Sequence, residues 1–248
     1  MFGYYHNIDS AFIHLDDEIT FNHHCKTIPN WEYKHINVRY KFNEFGHRSI
    51  SPTLLDNDYI LFLGCSHTLG IGMASEHLYV DIVSKQLGLP YYNLAAGGCG
   101  PDIVVNNTLA FLSFVKKKPI AIVIQWPNFH RFFHINEEHL NVELLNPSSV
   151  DSRIWKELSK DNMPELKNWY LRLFLLDVLA NMNVTKIHEI FYDDEIPPEL
   201  DATESSMSTS KSYLPISRPI DLARDRKHPG RLSHENYAQI LLSDIRID

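Results

Sequence analysis

Tyr59-Ile60-Leu61-Phe62-Leu63-Gly64-Cys65-Ser66-His67-Thr68-Leu69-Gly70-Ile71-Gly72 decides how this chain is read. Ile60 to Leu63 is a short unbroken apolar run, the pattern of a central parallel strand covered on both faces. Gly64, Gly70 and Gly72 permit sharp turning where a Cβ would clash. From about Ser75 the spacing turns helical, with Leu78, Ile82, Val83 and Leu87 on one face. Ser66 therefore falls between a strand and a helix, at the sheet edge where open α/β folds bind their ligands. A hydroxyl there has a nucleophile's position, although a lone serine after a strand also reads as the cap of a helical turn.

Two further segments repeat the pattern. Tyr91-Tyr92-Asn93-Leu94 runs into Ala95-Ala96-Gly97-Gly98-Cys99-Gly100, whose glycines can turn backbone N–H groups toward a developing negative charge. Ile120 to Gln125 is a third apolar, β-branched strand, and it ends at Trp126-Pro127-Asn128. Asn128 thus lies at one strand's carboxyl end as Ser66 does at another's. Taken singly, the glycines read equally as a helix cap and Asn128 as an ordinary turn residue. Near the C-terminus, Asp225-Arg226-Lys227-His228-Pro229-Gly230 precedes an amphipathic final helix beginning near Ser233. A serine hydroxyl needs an adjacent base, most often a histidine held in one tautomer by a carboxylate. Asp225 and His228 stand three apart and can face one point, but among 14 histidines such a pair also arises by chance.

The order of these segments resembles the SGNH, or GDSL-type, hydrolase and esterase superfamily. Gly64-Cys65-Ser66-His67-Thr68 is similar to its nucleophile block, with Cys65 in place of the usual aspartate. Asn93 to Gly98 resembles the second block, Asn128 the asparagine of the third, and Asp225-x-x-His228 the last. Trp126 replaces the glycine normally found two residues before that asparagine. The resemblance covers roughly residues 59–130 and 220–245. It implies an α/β, flavodoxin-like three-layer sandwich with a central, mostly parallel sheet. It also implies hydrolysis or transfer of an ester-linked acyl group. Ser66 would attack, His228 would move the proton, and Asp225 would orient the imidazole. The N–H groups of Ser66 and Gly98 with the Asn128 side chain would hold the oxyanion. Trp126 would either shift the loop carrying Asn128 or roof the acyl pocket, favouring small groups such as acetyl.

Composition fits one soluble, enzyme-sized domain spanning residues 1–248. Acidic residues exceed basic ones, 31 to 23, for a net charge of −8, which disfavours nucleic-acid binding through a basic face. Lys116 to Lys118 is the only basic run and suits a helix end. Cys25, Cys65 and Cys99 give no disulfide framework. No signal segment or membrane-length apolar run is evident, so a cytoplasmic protein without membrane partner is expected. No cofactor and no metal are expected: His23-His24-Cys25 point different ways, and His130, His134 and His139 lack the pairing with a glutamate that zinc hydrolases show. Oligomeric state is not legible.

Residues 1–55 read as an irregular, aromatic-rich lead-in with short strands, one of them Tyr33 to Tyr40. Its Asn43-x-x-Gly46-x-Arg48 is similar to lead-ins of bacterial and phage relatives, with Arg48 as a structural anchor. A helix is expected from Glu165 to Asn181 and a strand from Lys186 to Tyr192. Residues 193–224, polar and rich in Ser and Thr, read as a long mobile loop able to cover the site, with Asp193 to Glu195 facing solvent. Two function classes follow: an esterase or carbohydrate O-deacetylase acting on a small-molecule or carbohydrate ester, or a noncatalytic relative binding glycan or protein in the same cleft. A flavodoxin-like nucleotide binder also fits the strands, but leaves Asp225 and His228 unexplained.

Overall fold

The computed structural model describes residues 5–136, 141–145, 157, 163–184, 186–192 and 210–245. Its centre is a five-stranded sheet built from β3 (Ile60–Leu63), β4 (Tyr91–Asn93), β5 (Ala121–Gln125), β8 (Lys186–Tyr192) and β9 (Ser210–Ile216), in the order β4-β3-β5-β8-β9. Every neighbouring pair is parallel. The first strand in sequence thus lies inside the sheet with its two successors on either side, the flavodoxin-like order, whose switch point falls beside β3.

Alternation along the strands creates the three layers. Leu61, Leu63, Ile122, Ile124 and Ile187 point to one face, where α4 (Pro101–Phe114) and α5 (Met163–Asn181) cover them with Ile103, Phe111, Leu175 and Leu179. Ile60, Phe62, Val123 and Ile190 point to the other, under α3 (Tyr79–Leu87) and α6 (Arg231–Asp244). Burying one such side chain contributes roughly 1.5–3 kcal/mol, so a one-residue slip in register would forfeit both faces at once.

The chain before residue 59 is more ordered than its composition suggests. α1 (Glu18–Thr27) is capped by Asp17, whose carboxylate accepts the Thr20 N–H and hydroxyl, both at 2.8 Å. Of the expected Tyr33–Tyr40 strand only Tyr40 lies in a sheet, as the first residue of β2 (Tyr40–Lys41), which pairs with β1 (Asp9–Ser10). Arg48 is the expected anchor: buried, it donates to the carbonyls of Leu69, Gly70, Arg39 and Met73. It therefore straps the lead-in to the turn that follows β3. Lys118 bonds the Leu112 carbonyl at the end of α4, the role expected of the basic run.

The long loop expected over 193–224 is corrected in its second half. Residues 193–209, with the acidic patch, lie outside the described residues, as does His139. Residues 210–216 are β9, and Asp221 then caps α6 by accepting the N–H groups of Leu232 and Ser233 at 2.9 and 2.8 Å. A short antiparallel hairpin, β6 (Phe132–Asn136) with β7 (Asn141–Leu145), follows the Asn128 turn and has no counterpart in the sequence reading. No helix among the described residues is long and apolar enough to cross a membrane.

Candidate active site

Three strand ends and one C-terminal loop converge at the carboxyl edge of the sheet. β3 ends at Leu63, and Ser66 is the first residue of α2 (Ser66–Leu69), a single turn. Cys65 is the residue at the helix cap and makes no side-chain cap bond, so Ser66 is not a cap. Ser66 is 5% exposed.

The Asp225-His228 loop is docked directly on this turn. The Arg224 N–H donates to the Gly72 carbonyl at 3.1 Å. Gly72 has φ +76°, and a Cβ on it would lie 2.8 Å from the Ala223 Cβ and 3.0 Å from the Arg224 nitrogen, so only glycine permits the approach. Within the loop, His228 Nδ1 donates to Asp225 Oδ2 at 2.5 Å, while Asp225 Oδ1 accepts the N–H groups of Lys227 and His228, each at 3.2 Å. Arg226, between them, is held in the left-handed region at φ 59°, a conformation non-glycine residues seldom adopt and one that gathers at functional loops. With Nδ1 committed to the carboxylate, Nε2 is the ring nitrogen left to accept a proton.

The imidazole of His228 sits edge-on to that of His67, with ring centroids 5.7 Å apart, so it lies against the turn that begins with Ser66. His67 in turn is hydrogen-bonded through Nδ1 to the Tyr192 hydroxyl at the carboxyl end of β8. Burial, and then the neighbouring His228, push the His67 pKa down to about 3, so this ring is neutral. Burial also raises the Tyr192 phenol.

Gly98 lies on the turn between β4 and α4, which the Ala96 N–H ties to the Gly64 carbonyl at 3.1 Å. Asn93 donates to the Thr68 carbonyl at 2.8 Å and accepts the Ala95 N–H, fixing the same turn to α2. Asn128 lies on the turn after β5, where its Oδ1 accepts the His130 N–H at 2.9 Å. A small pocket of about 50 Å³ is lined by Asn128, His67 and Tyr192 together with Arg131 and Arg218.

Trp126 lines the small pocket beside Asn128, and it is held firmly from beneath. The side chain is buried, and its indole N–H donates to Glu189 Oε1 at 2.6 Å. Glu189 is itself held by Arg172 through two bonds of 2.7 and 2.5 Å. The indole also packs on Phe129, which stacks on Trp169 at 4.0 Å. Its bulk thus anchors the Asn128 turn to the layer beneath, and a glycine there could not.

Sequence reading missed His67, Tyr192, Gln125, Arg131 and Arg218. The signal for Tyr192 and Gln125 was available, since each is the last residue of a strand at the ligand-binding edge. Arg218 carries no such signal, because β9 before it has no apolar run to mark a strand end.

No protein-family model and no curated protein matches the chain. Among solved structures it is similar to the acetyl xylan esterase Est2A of the rumen bacterium Butyrivibrio proteoclasticus, at 17% identity and TM-score 0.48, over 75% of this chain and 62% of that one. It is similar to a family two carbohydrate esterase of Clostridium thermocellum, at 15% identity and TM-score 0.49, over 76% and 63%. It is similar also to the acetylxylan esterase Axe2 of Geobacillus stearothermophilus, at 15% identity and TM-score 0.47, over 77% and 95%. The chain spans less than two thirds of the length of the first two. These likenesses stand as similarities alone; the fold class rests on the strand order itself.

Proposed function

We propose that the chain is a serine hydrolase that removes a small acyl group from an ester. Ser66 attacks the carbonyl, His228 Nε2 takes the hydroxyl proton and returns it to the leaving alcohol, and Asp225 holds the imidazole and balances its charge. The N–H groups of Ser66 and Gly98 and the amide of Asn128 receive the oxyanion, each such donor contributing about 3 kcal/mol of barrier lowering. The observation that carries this reading is the Asp225 to His228 bond of 2.5 Å on a ring packed against the residue next to Ser66.

The small pocket beside Asn128 supports a compact substrate: at about 50 Å³, and with one water needing about 10–15 Å³, whichever part of the ester enters it holds three or four heavy atoms. The alcohol is proposed to be a carbohydrate hydroxyl, as in the O-deacetylases to which the sequence reading points.

Acetate release from acetylated polysaccharide and from 4-nitrophenyl acetate tests both parts. Wild type should release acetate from both, and Ser66→Ala and His228→Ala should not. Release from the aryl ester alone would keep the esterase and remove the carbohydrate. Equal release by all three proteins would remove the mechanism.

A further inference from the structure

Two guanidinium groups line the small pocket, those of Arg131 and Arg218, and among the described residues no Asp or Glu does, in a chain whose net charge is −8. Gln125 lines it too and is 2% exposed. Its Oε1 accepts the Thr68 hydroxyl at 2.8 Å, but its buried Nε2 has no partner among the described residues. A buried amide donor without an acceptor is costly, and this one belongs to a side chain that lines the cavity. Arg131 forms no ion pair among the described residues. An acceptor-rich, negatively charged ligand would answer both the Gln125 amide and the Arg131 guanidinium.

The arginine is also held in place before any ligand arrives. Its N–H donates to the Asn128 carbonyl at 3.1 Å, and its own carbonyl accepts the Asn168 amide at 2.8 Å. That carbonyl packs so closely on Gly100 that a Cβ there would lie 2.2 Å from its oxygen. The turn bearing Asn128 and Arg131 is thus tied to both α4 and α5. The Arg218 guanidinium lies 4.6 Å over the Tyr192 ring, an arrangement that favours a planar cation. The two arginines also help to keep His67 uncharged, after burial and the nearby histidines.

We propose that this pocket holds a carboxylate carried by the ester substrate, with Arg131 as its counter-ion and Arg218 and the Gln125 amide as further donors. A guanidinium can meet a carboxylate with two parallel bonds, which a lysine cannot reproduce. Calling the ligand a substrate rests on the serine-hydrolase reading; its binding does not.

The test separates the two. Malonate, its neutral analogue malonamide and inorganic phosphate are titrated calorimetrically into wild type, Arg131→Gln and Arg131→Lys. Malonate should bind wild type about tenfold or more tightly than malonamide does, and Arg131→Gln should lose about that factor, with Arg131→Lys between. Equal binding of malonate and malonamide, binding of phosphate alone, or an unchanged Arg131→Gln would each overturn the proposal. Should Arg131→Gln fail to fold, the wild-type comparison with malonamide decides by itself. In the reaction, 4-nitrophenyl hydrogen succinate is compared with 4-nitrophenyl butyrate, and 4-carboxyphenyl acetate with 4-carbamoylphenyl acetate. A kcat/KM advantage of about tenfold for the charged member of either pair supports the site and shows whether acyl group or alcohol carries the charge. An advantage in neither pair refutes it. Malonate binding as described without any Ser66-dependent cleavage would leave the carboxylate site standing and remove the hydrolase.

Discussion

Arg224 and Arg172 each pair with a buried carboxylate behind one wall of the cleft, yet the pairs join very different parts of the chain. Arg224 meets Asp16, 208 positions away, at 2.6 Å; Arg172 meets Glu189, 17 positions away, at 2.5 Å. All four side chains are 3% exposed or less. Asp16 also accepts the Tyr40 hydroxyl at 2.5 Å, and that same hydroxyl accepts the Gly72 N–H at 2.7 Å. The first pair therefore clamps the lead-in, the turn that begins with Ser66 and the Asp225-His228 loop together. The second, with Trp126 bonded to Glu189, fixes the Asn128 turn to the sheet and α5. The Asp225-His228 loop is held by the chain's first fifty residues, and the Asn128 turn by the sandwich's own layers.

Breaking either pair gives the largest effect. Removing one partner strands a buried charge, so Arg224→Met and Arg172→Met should each lose about 3–5 kcal/mol of stability in urea unfolding. In the molecules that remain folded, Arg224→Met should slow ester cleavage through the loop carrying His228 and Arg172→Met through the Asn128 turn, with the two losses additive in the double variant. A double variant no slower than the slower single one would erase the distinction between the two walls.

Asn128→Ala comes next. It should raise the barrier by about 3 kcal/mol, read as a fall in kcat with little change in KM. A fall in stability without a fall in kcat would assign Asn128 to the turn alone. Trp126→Phe keeps the packing but removes the N–H bond to Glu189, and should cost about 1.5–3 kcal/mol of stability. Its effect on cleavage should be additive with that of Arg224→Met, since the two sit on different walls.

The smallest effect is on the response to acid. Burial holds His47, in the lead-in, at a pKa of about 4 and His234, on α6, at about 3, against about 6.5 in the unfolded chain. The unfolded state therefore binds more protons below pH 6.5. The stability these neutral rings contribute is complete above that pH and is lost as pH falls toward the folded values, at about 1.4 kcal/mol per pH unit for each ring. His47→Gln should flatten the loss of global stability between pH 6 and 4.5 by about that slope. An unchanged global slope, with only the lead-in's near-ultraviolet signal altered, would mean that the clamp unfolds apart from the sheet.

Apolar runs made four of the five central strands legible, since β3, β4, β5 and β8 are nearly continuous stretches of buried residues. β9 was hidden because Ser210-Lys211-Ser212-Tyr213-Leu214-Pro215-Ile216 has neither a run nor a turn boundary. It occupies the sheet's edge, the position where a proline is tolerated. α1 was hidden because none of its residues is buried, so no apolar face announces it. Ser66, Asp225 and His228 were legible through spacing and order along the chain. The Arg224 to Asp16 clamp was not, since two charges 208 residues apart leave no pattern in sequence.

The most direct measurement of the central claim is peptide mapping after treatment with a serine-directed fluorophosphonate. The account predicts one adduct, on the peptide bearing Ser66, formed by wild type and absent from Ser66→Ala and His228→Ala. An adduct on any other serine, or undiminished labelling of His228→Ala, would contradict it.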